Sequence, residues 1–255
     1  MEPAPAGVRR GRRAPARRTK AATALAKNIV REIHRRGLQP GDKLLSEQKM
    51  VERYGVARGS LREALRYLEL QGVLRIKSGP GGGPQIDVPN GRHFASTLAL
   101  MLQFVGAGFR AIVETRFVVE PGMAALAAER ASTDDLRALR ECLVAMRAAL
   151  RHAPRFQEEN RRFHDLLAFA SGNPVFRFLL PALHWISDGA GIEYSEAERA
   201  RILRAMRQIL AAVEAHDAAG AAASMQRFFA LSLAYLDRTY PDIMARPVAW
   251  SDSEL

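Results

Sequence analysis

Three arginines, Arg58, Arg62 and Arg66, lie four residues apart in the segment RGSLREALRYLEL. Leucines occur at 61, 65 and 68 of the same segment, at the spacing of a buried helical stripe. The spacing predicts a helix with one apolar face and one cationic face. An arginine stripe taken alone is also typical of an ordinary solvated helix face. Because a guanidinium can donate two hydrogen bonds to a guanine edge or contact phosphate, the cationic face is a candidate nucleic-acid reader.

A glycine-rich stretch follows this helix, in VLRIKSGPGGGPQIDV. A phosphate-binding loop of the Walker type would lead from a strand into a helix and end in Lys-Ser or Lys-Thr, and none of that is present. Apolar residues alternate with Arg75 and Lys77 before the glycines, and PQIDV can return as a partner strand. The pattern therefore predicts a small β-hairpin with the glycines at its tip.

Two further helices are predicted upstream. The first runs from about Thr23 to Gly37, and the second, EQKMVERY, has Ser46 as its N-cap and ends at Gly55. Met50 and Val51 are expected to face inward. Since only a few residues separate the second helix from the arginine helix, the pair predicts a helix-turn-helix, and the hairpin makes it a winged one.

The segment LQPGDKLLSEQKMVERYGVARGSLREALRYLELQGVLRIKSGPGGG resembles the winged helix-turn-helix of the GntR family of bacterial transcription regulators, over about residues 21–88. The resemblance implies binding to double-stranded DNA at a palindromic operator, with Arg58 and Arg62 contacting bases or phosphates. Gln48 stands where an arginine is usual and Ala57 where Ser or Thr often caps the helix, so the operator sequence is expected to differ. The full set of implied DNA-binding residues is Ser46, Gln48, Arg58, Gly59, Ser60, Arg62, Arg66, Lys77, Ser78 and Gly79.

The charge distribution supports a polyanionic partner. Residues 1–90 contain 19 Lys and Arg against 8 Asp and Glu, so the net charge of +11 of the 255-residue chain lies in its first third. Residues 1–20 combine arginine with Pro, Gly and Ala and are predicted to be a disordered basic arm that contacts phosphates or has no role.

Without an apolar run of membrane-spanning length or a signal peptide, the expected location is the cytoplasm. The single cysteine, Cys142, excludes an internal disulfide.

Residues 96–240 are predicted to form an all-α domain of about seven helices. Breaks are expected at 106–108, 131–133, 152–154, 171–174, 189–191 and 218–220. The predicted organisation is an arm at 1–20, a winged helix-turn-helix domain at 21–88, a linker at 89–95, the helical domain at 96–240 and a tail at 241–255. The expected fold class is therefore mainly α, with a small hairpin wing.

The helical part resembles the FCD ligand-sensing domain of the FadR branch of the GntR family. The similarity rests on ETRFVVEPGMAALAAERAS, ENRRFHDLLAFASGNPVF and EAHDAAGAAASMQRF. Many such domains hold a divalent metal with one Asp and three His, and the positions that match are Asn160, His164, Met206 and Phe228. Only one of the four is a histidine, so no metal and no other cofactor is expected. His152, His184 and His216 lack suitable spacing and are expected to lie on the surface or to be satisfied in the core.

The remaining residues predict a cavity made apolar by Met206 and Phe228, with Arg116, Asn160 and His164 as polar anchors. The resemblance implies that Arg116 faces a ligand, and a guanidinium suits a carboxylate. The alternatives are that Arg116 pairs with Glu120 one turn away, or that the cavity has filled in. The sequence shows no nucleophile with its base and no cofactor motif, so an enzyme is not expected. The prediction is a homodimeric, effector-responsive transcription regulator, by default a repressor; the alternative is a non-specific architectural DNA-binding protein without an effector.

Overall fold

The computed structural model describes residues 15–79, 82–87, 91–188 and 190–250. The chain divides into two compact units, Met1–Pro89 and Asn90–Leu255, here called the N-terminal and C-terminal units. The expected fold class is confirmed, because a helical N-terminal unit with a two-stranded hairpin precedes an all-helical C-terminal unit.

The N-terminal unit contains three helices and one hairpin. These elements are α1 (Pro15–Arg35), α2 (Glu47–Tyr54), α3 (Arg58–Leu70), β1 (Leu74–Lys77) and β2 (Gly83–Ile86). Helix α2 begins and ends as the sequence predicts, because the Ser46 side chain accepts a hydrogen bond from the Lys49 amide and Gly55 adopts a left-handed φ of 61°. The strands pair antiparallel, with Leu74 opposite Ile86, and their hairpin is the wing.

One apolar core fixes these elements. It is built from the inner faces of α1 and α3 with Met50, Leu74 and Ile86. Met50 is buried as predicted, whereas Val51 is only half-buried. Leu61, Leu65 and Leu68 of α3 are at most 3% exposed, which is why the opposite face of that helix must point outward.

Helix α1 begins earlier than the sequence predicts. It starts at Pro15 rather than near Thr23, so residues 15–20 of the predicted arm are helical. Proline fits the first turn of a helix, where its missing N–H costs no hydrogen bond, and alanine-rich residues 21–26 continue it. The prediction for residues 1–14 lies outside the described residues.

The C-terminal unit is a helical bundle. Its helices are α4 (Gly91–Phe104), α5 (Phe109–Arg130), α6 (Thr133–Ala148), α7 (Ala153–Ala170), α8 (Phe176–Asp188), α9 (Glu196–Glu214), α10 (Ala218–Thr239) and α11 (Pro241–Ala245). The largest core cluster joins α5, α6, α7, α9 and α10 through side chains such as Met123, Phe156 and Phe163. None of the described helices is both long and apolar enough to cross a membrane.

Three boundaries differ from the predicted ones. Helix α4 takes in most of the predicted linker at 89–95. The predicted break at 218–220 lies inside α10, because the preceding Asp217 caps that helix through the Gly220 amide. The predicted tail at 241–255 is packed in part, since Met244 and Val248 are buried and residues 241–245 are helical; residues 251–255 lie outside the described residues.

Candidate functional site

The cationic face of α3 consists of Arg58, Arg62 and Arg66, and all three side chains are exposed. They lie on the face of the helix next to the one that carries the buried leucines. Gly59 is exposed and Ser60 is half-buried beside them. This set is called the recognition face below. Because Arg58 and Gly59 lie at the N-terminal end of α3, they can contact bases if that end enters a groove of double-stranded DNA.

Two of the other predicted DNA-binding residues have partners within the chain. The Ser46 hydroxyl accepts from the Lys49 amide at 3.5 Å, and the Gln48 side-chain amide lies 3.5 Å from a Glu52 carboxylate oxygen. Arg62 also pairs with Glu47 at 3.0 Å, but its side chain is 72% exposed. An exposed pair contributes about 0 to 1 kcal/mol, so a phosphate or base can replace Glu47 at little cost.

The wing carries a second cationic point. Lys77, Ser78 and Gly79 are exposed at the end of β1, and Gly79 has a φ of 92° that favours glycine. Gly79 and Gly82 lie between the two strands, as predicted for a hairpin tip, and Gly83 begins β2; Pro80 and Gly81 lie outside the described residues. The wing is attached to α3 by a hydrogen bond from the Ile76 amide to Glu69 at 3.0 Å, a contact that the sequence did not reveal.

A separate cavity of about 390 Å³ lies within the C-terminal unit, a size typical of small-molecule sites. Arg116, Asn160, His164 and Phe228 line it, as the sequence predicts. Met206 does not line it: its side chain is fully buried in the main core, because its face of α9 packs inward. Of the two possibilities that the sequence left open, an open cavity and a filled-in one, the described residues form the open cavity.

Glu120 is the buried charge around which the polar wall is organised. It is fully buried, and it accepts hydrogen bonds from Arg116 Nε at 2.6 Å and from His164 Nδ1. Burial opposes ionisation of Glu120, but the Arg116 and His164 charges outweigh burial and hold its pKa below its ordinary value. The sequence left two alternatives for Arg116, a contact with a ligand or an ion pair with Glu120. They do not exclude each other, because the guanidinium pairs with Glu120 and also lines the cavity.

His184 is brought to the same place from α8. Its ring centroid lies 5.7 Å from that of His164, and its Nδ1 lies 3.2 Å from an Asp165 oxygen. Burial, reinforced by the Arg116 charge, lowers the pKa of His184 to about 4, so the ring is neutral near pH 7. His184 is thus a core histidine, as one of the two expected placements has it, and it is paired through Nδ1, whereas its Nε2 has no hydrogen-bond partner among the described residues.

The other two histidines behave as expected. His152 caps the N-terminus of α7 through its Nδ1, and the ring of the exposed His216 contacts the Ala128 carbonyl at 2.9 Å. Neither lines the cavity.

The four positions that match the metal ligands of FCD domains do not form a metal site. Met206 is buried in the core, and Phe228 presents its ring 5.8 Å from the ring of His164. A thioether in the core and a phenyl ring supply no N or O donor, which leaves Asn160 and His164 as a set too small for a divalent ion.

Several residues that line the cavity were not predicted from the sequence. Helices α7 and α8 and the segment after α8 contribute a ring of polar and aromatic groups: Gln157, Arg161, Ser187, Asp188 and Tyr194. Burial raises the pKa of Asp188, although Arg161 opposes the change, and burial raises the pKa of Tyr194 to about 12. The i, i+4 spacing of Arg116 and Glu120 in the sequence indicated that these two residues could form an ion pair. No spacing in the sequence indicated that His184 would line the cavity.

Comparison with known families matches both units. Residues 21–82 match the family described as "Bacterial regulatory proteins, gntR family", and residues 111–231 match the "FCD domain". Both matches lie where the described helices place the recognition face and the cavity.

Individual relatives are named as transcriptional regulators. The chain is 31% identical over 143 residues to "HTH-type transcriptional regulator LutR" of Bacillus subtilis, covering 56% of this chain and 64% of that protein. It is 30% identical over 176 residues to "HTH-type transcriptional repressor NanR" of Cronobacter sakazakii, covering 68% and 66%. It is 27% identical over 211 residues to "Uncharacterized HTH-type transcriptional regulator Rv0494" of Mycobacterium tuberculosis, covering 80% and 84%. The chain thus matches just under two thirds of the length of LutR and NanR.

A solved structure agrees with the fold. "Streptococcus agalactiae GntR" superposes with a TM-score of 0.70 at 23% identity, covering 84% of this chain and 99% of that one.

Proposed function

We propose that this chain, which joins a GntR-family helix-turn-helix domain to an FCD domain, is a DNA-binding transcription regulator whose operator affinity responds to a small effector. The observation that carries the proposal is the exposed recognition face on a helix anchored by buried leucines. By analogy with NanR, which is named as a transcriptional repressor, the regulator is a repressor. Within the family we place it in the FadR branch.

The N-terminal unit supplies both kinds of contact that specific DNA binding needs. Arg58 and Arg62 at the start of α3 can donate paired hydrogen bonds to guanine, each good pair discriminating by about 1 to 3 kcal/mol. Arg66 and the wing residues Lys77 and Ser78 can contact phosphates, which position the protein without reading the sequence. Winged helix-turn-helix domains of this kind bind palindromic duplexes, whose two half-sites are related by a two-fold axis. A protein dimer with the same symmetry matches them, so the active species is a homodimer.

The C-terminal unit supplies a site for an effector. Its cavity is lined by apolar rings such as Phe228 and Phe229 and by the Arg116 guanidinium. One edge of Arg116 is engaged by Glu120, and the group lies over the ring of Phe229 at 5.3 Å, which holds it in place. A planar, preoriented guanidinium recognises a carboxylate, so the effector is an organic acid or acyl compound. Its binding shifts operator affinity by a coupling energy of about 1 to 3 kcal/mol.

Genomic footprinting of the bound sites tests the DNA-binding role. A sequence-specific regulator protects few sites that share a dyad-symmetric motif, and Arg58→Ala removes that protection. Uniform binding without a shared motif, unchanged by Arg58→Ala, would instead identify an architectural protein and overturn the proposal.

A thermal-shift screen of organic acids and acyl thioesters tests the effector. The matched variant is Arg116→Lys, which keeps a cation beside Glu120 but loses the planar fork. An acid that raises the melting temperature of the wild type but not of Arg116→Lys supports carboxylate recognition. Equal stabilisation of both proteins, or of neither, contradicts it.

A further inference from the structure

Helix α1 carries a second row of cations, apart from the recognition face. Four exposed basic side chains lie at positions i, i+7, i+11 and i+15 of the helix, a spacing that places them on one face. They are called the α1 stripe below and are Lys20, Lys27, Arg31 and Arg35. At about 1.5 Å per residue, the row extends over about 22 Å of helix.

The α1 stripe points away from α3. The opposite side of α1 packs into the core of the N-terminal unit through Leu25, Ile29 and Ile33. Leu61 and Leu65 of α3 enter the same core, so α3 lies on the other side of α1 from the stripe. A stretch of duplex whose groove holds α3 therefore leaves the stripe uncovered.

No carboxylate neutralises the α1 stripe within the described part of the chain. The one acidic residue of α1, Glu32, lies on another side of the helix, where the Tyr54 hydroxyl and Arg53 engage it. Among the described residues, no member of the stripe pairs with an acid, and Arg31 donates a hydrogen bond to the Asn28 side chain at 3.0 Å. The four charges are therefore free to meet an outside partner.

Such a row is unfavourable for a helix by itself. Lys27, Arg31 and Arg35 follow one another at i, i+4 spacing, where like charges repel. The first turn of α1 contains no acidic residue, whereas α6 and α9 both begin with acidic residues that suit the helix dipole. Because an ordinary solvated helix face mixes the two signs, the unmixed stripe indicates an anionic partner.

We propose that the α1 stripe is a second DNA-binding surface, which contacts duplex phosphates outside the segment that α3 reads. This inference rests on the proposed function, since it requires that the recognition face holds the protein on DNA. A straight row of cations fits a linear polyanion, and each strand of a duplex presents one phosphate per about 3.4 Å. Positive charge continues ahead of the stripe in the sequence, because residues 9–18 contain six arginines and no acidic residue.

An anionic membrane suits this face less well than DNA does. A helix that lies on a membrane buries bulky apolar residues beside its cations. In α1 the bulky residues Leu25, Ile29 and Ile33 are at most 8% exposed, because the core holds them. Beside the cations, the stripe presents the exposed Ala24 and Asn28, which supply little apolar area. The face thus has charge for a polyanion but lacks apolar side chains for insertion into lipid.

Two variants with the same net charge separate the stripe from charge in general. The stripe variant combines Lys27→Gln, Arg31→Gln and Arg35→Gln, which removes three charges and keeps long side chains of good helix propensity. The matched control removes three exposed arginines of the C-terminal unit through Arg147→Gln, Arg204→Gln and Arg207→Gln. Because the stripe variant relieves repulsion and touches no core residue, its melting temperature should not fall.

Fluorescence anisotropy of the full-length proteins measures affinity for the footprinted duplex and for a scrambled duplex. The stripe variant should bind both at least about tenfold more weakly than the wild type at about 0.1 M salt. Its slope of log K against log salt should fall by about 2 to 3, as for three lost phosphate contacts. The control should keep the wild-type affinity and slope.

Two further arms locate the phosphates that the stripe contacts. If they flank the site on the same duplex, extending the duplex by about two helical turns on each side strengthens binding by the wild type and the control but not by the stripe variant. If they belong to a second segment, the wild type held on an immobilised duplex captures a labelled second duplex, and the stripe variant captures much less. Absence of both effects would contradict a surface outside the segment that α3 reads.

The remaining contrary results are also distinct. A stripe variant that binds DNA as the control does, or equal losses in the two variants, would overturn the proposal. Loss of binding to phosphatidylserine vesicles with unchanged DNA affinity would assign the stripe to a membrane instead. The proposed function is judged separately, by the ratio of wild-type affinities for the footprinted and scrambled duplexes, and the stripe variant should leave that ratio unchanged.

Discussion

The two units use charged groups in opposite ways. In the N-terminal unit the arginines of the recognition face are exposed, and the pair between Arg62 and Glu47 is open to solvent. In the C-terminal unit Glu120 and His164 are completely buried, and Arg116 is held against them. Exposed charges contribute little to folding and remain available to a partner, whereas buried charges must be paired before anything binds. The contrast teaches that the charges of the recognition face can change partners, whereas those of the cavity wall hold a fixed geometry.

The largest expected effect concerns the buried pair. Glu120→Gln keeps the shape of the side chain but leaves Arg116 without its carboxylate, and breaking a buried pair typically costs about 3 to 5 kcal/mol. We expect a loss of that order in the free energy of unfolding of the C-terminal unit, measured by urea denaturation. The matched change is Asp134→Asn, which removes an exposed partner of Arg137 at 2.8 Å and should cost less than about 1 kcal/mol. Equal losses in the two variants would contradict the claim that the buried pair contributes more to stability than an exposed one.

A smaller effect is expected at Glu32 in the N-terminal unit. The Tyr54 hydroxyl donates to Glu32 at 2.7 Å, and this hydrogen bond, with the charge of Arg53, lowers the pKa of Glu32 despite its partial burial. Hydrogen bonds to charged groups contribute about 1.5 to 3 kcal/mol, so Tyr54→Phe should destabilise the unit by roughly that amount or less. Tyr67→Phe on the exposed side of α3 is the control and should have little effect.

The pH dependence of that loss has a definite sign. A carboxyl group whose pKa is lowered on folding stabilises the protein above its ordinary value of 4.5, and this contribution disappears as the pH falls through the folded pKa. The difference in unfolding free energy between wild type and Tyr54→Phe should therefore be full at pH 7 and shrink below pH 4.5. A difference that grows on acidification would show that the hydrogen bond does not act through the ionised carboxylate.

The smallest effect is expected at the wing. Lys77 is exposed and is proposed to contact phosphate. Lys77→Ala should weaken binding to all duplexes alike and reduce the slope of log K against log salt by about 1, as for one lost phosphate contact. If the loss of affinity depended on the sequence of the duplex, Lys77 would contact bases rather than phosphate. The wing would then contribute to sequence recognition as α3 does.

The sequence predicted the N-terminal unit better than the cavity, for a physical reason. Ser46, Gly55 and the leucines of α3 act over a few residues, so capping and helical periodicity are enough to place them. The partnership of His184 with His164 depends on how α8 packs against α7, and no local spacing encodes it. Met206 was misplaced for the same reason, because alignment by position does not say which face of α9 points inward.

Helix ends were predicted less well than helix interiors. Pro15 could be read as part of an arm or as the first turn of α1, and the composition of residues 1–20 favoured the arm. The helical start shows that propensity in residues 21–26 extends the helix towards the N-terminus. Asp217 similarly caps α10 ahead of the predicted break.

The most direct test of the account compares the affinity of the full-length protein for its footprinted duplex with its affinity for a scrambled duplex, at one salt concentration. The account predicts a ratio of at least about a thousand for the wild type. Arg58→Ala should lower that ratio about tenfold or more while leaving scrambled-duplex binding and the melting temperature nearly unchanged. A ratio that Arg58→Ala leaves intact, or a wild type that binds both duplexes equally, would contradict the claim that the recognition face reads DNA.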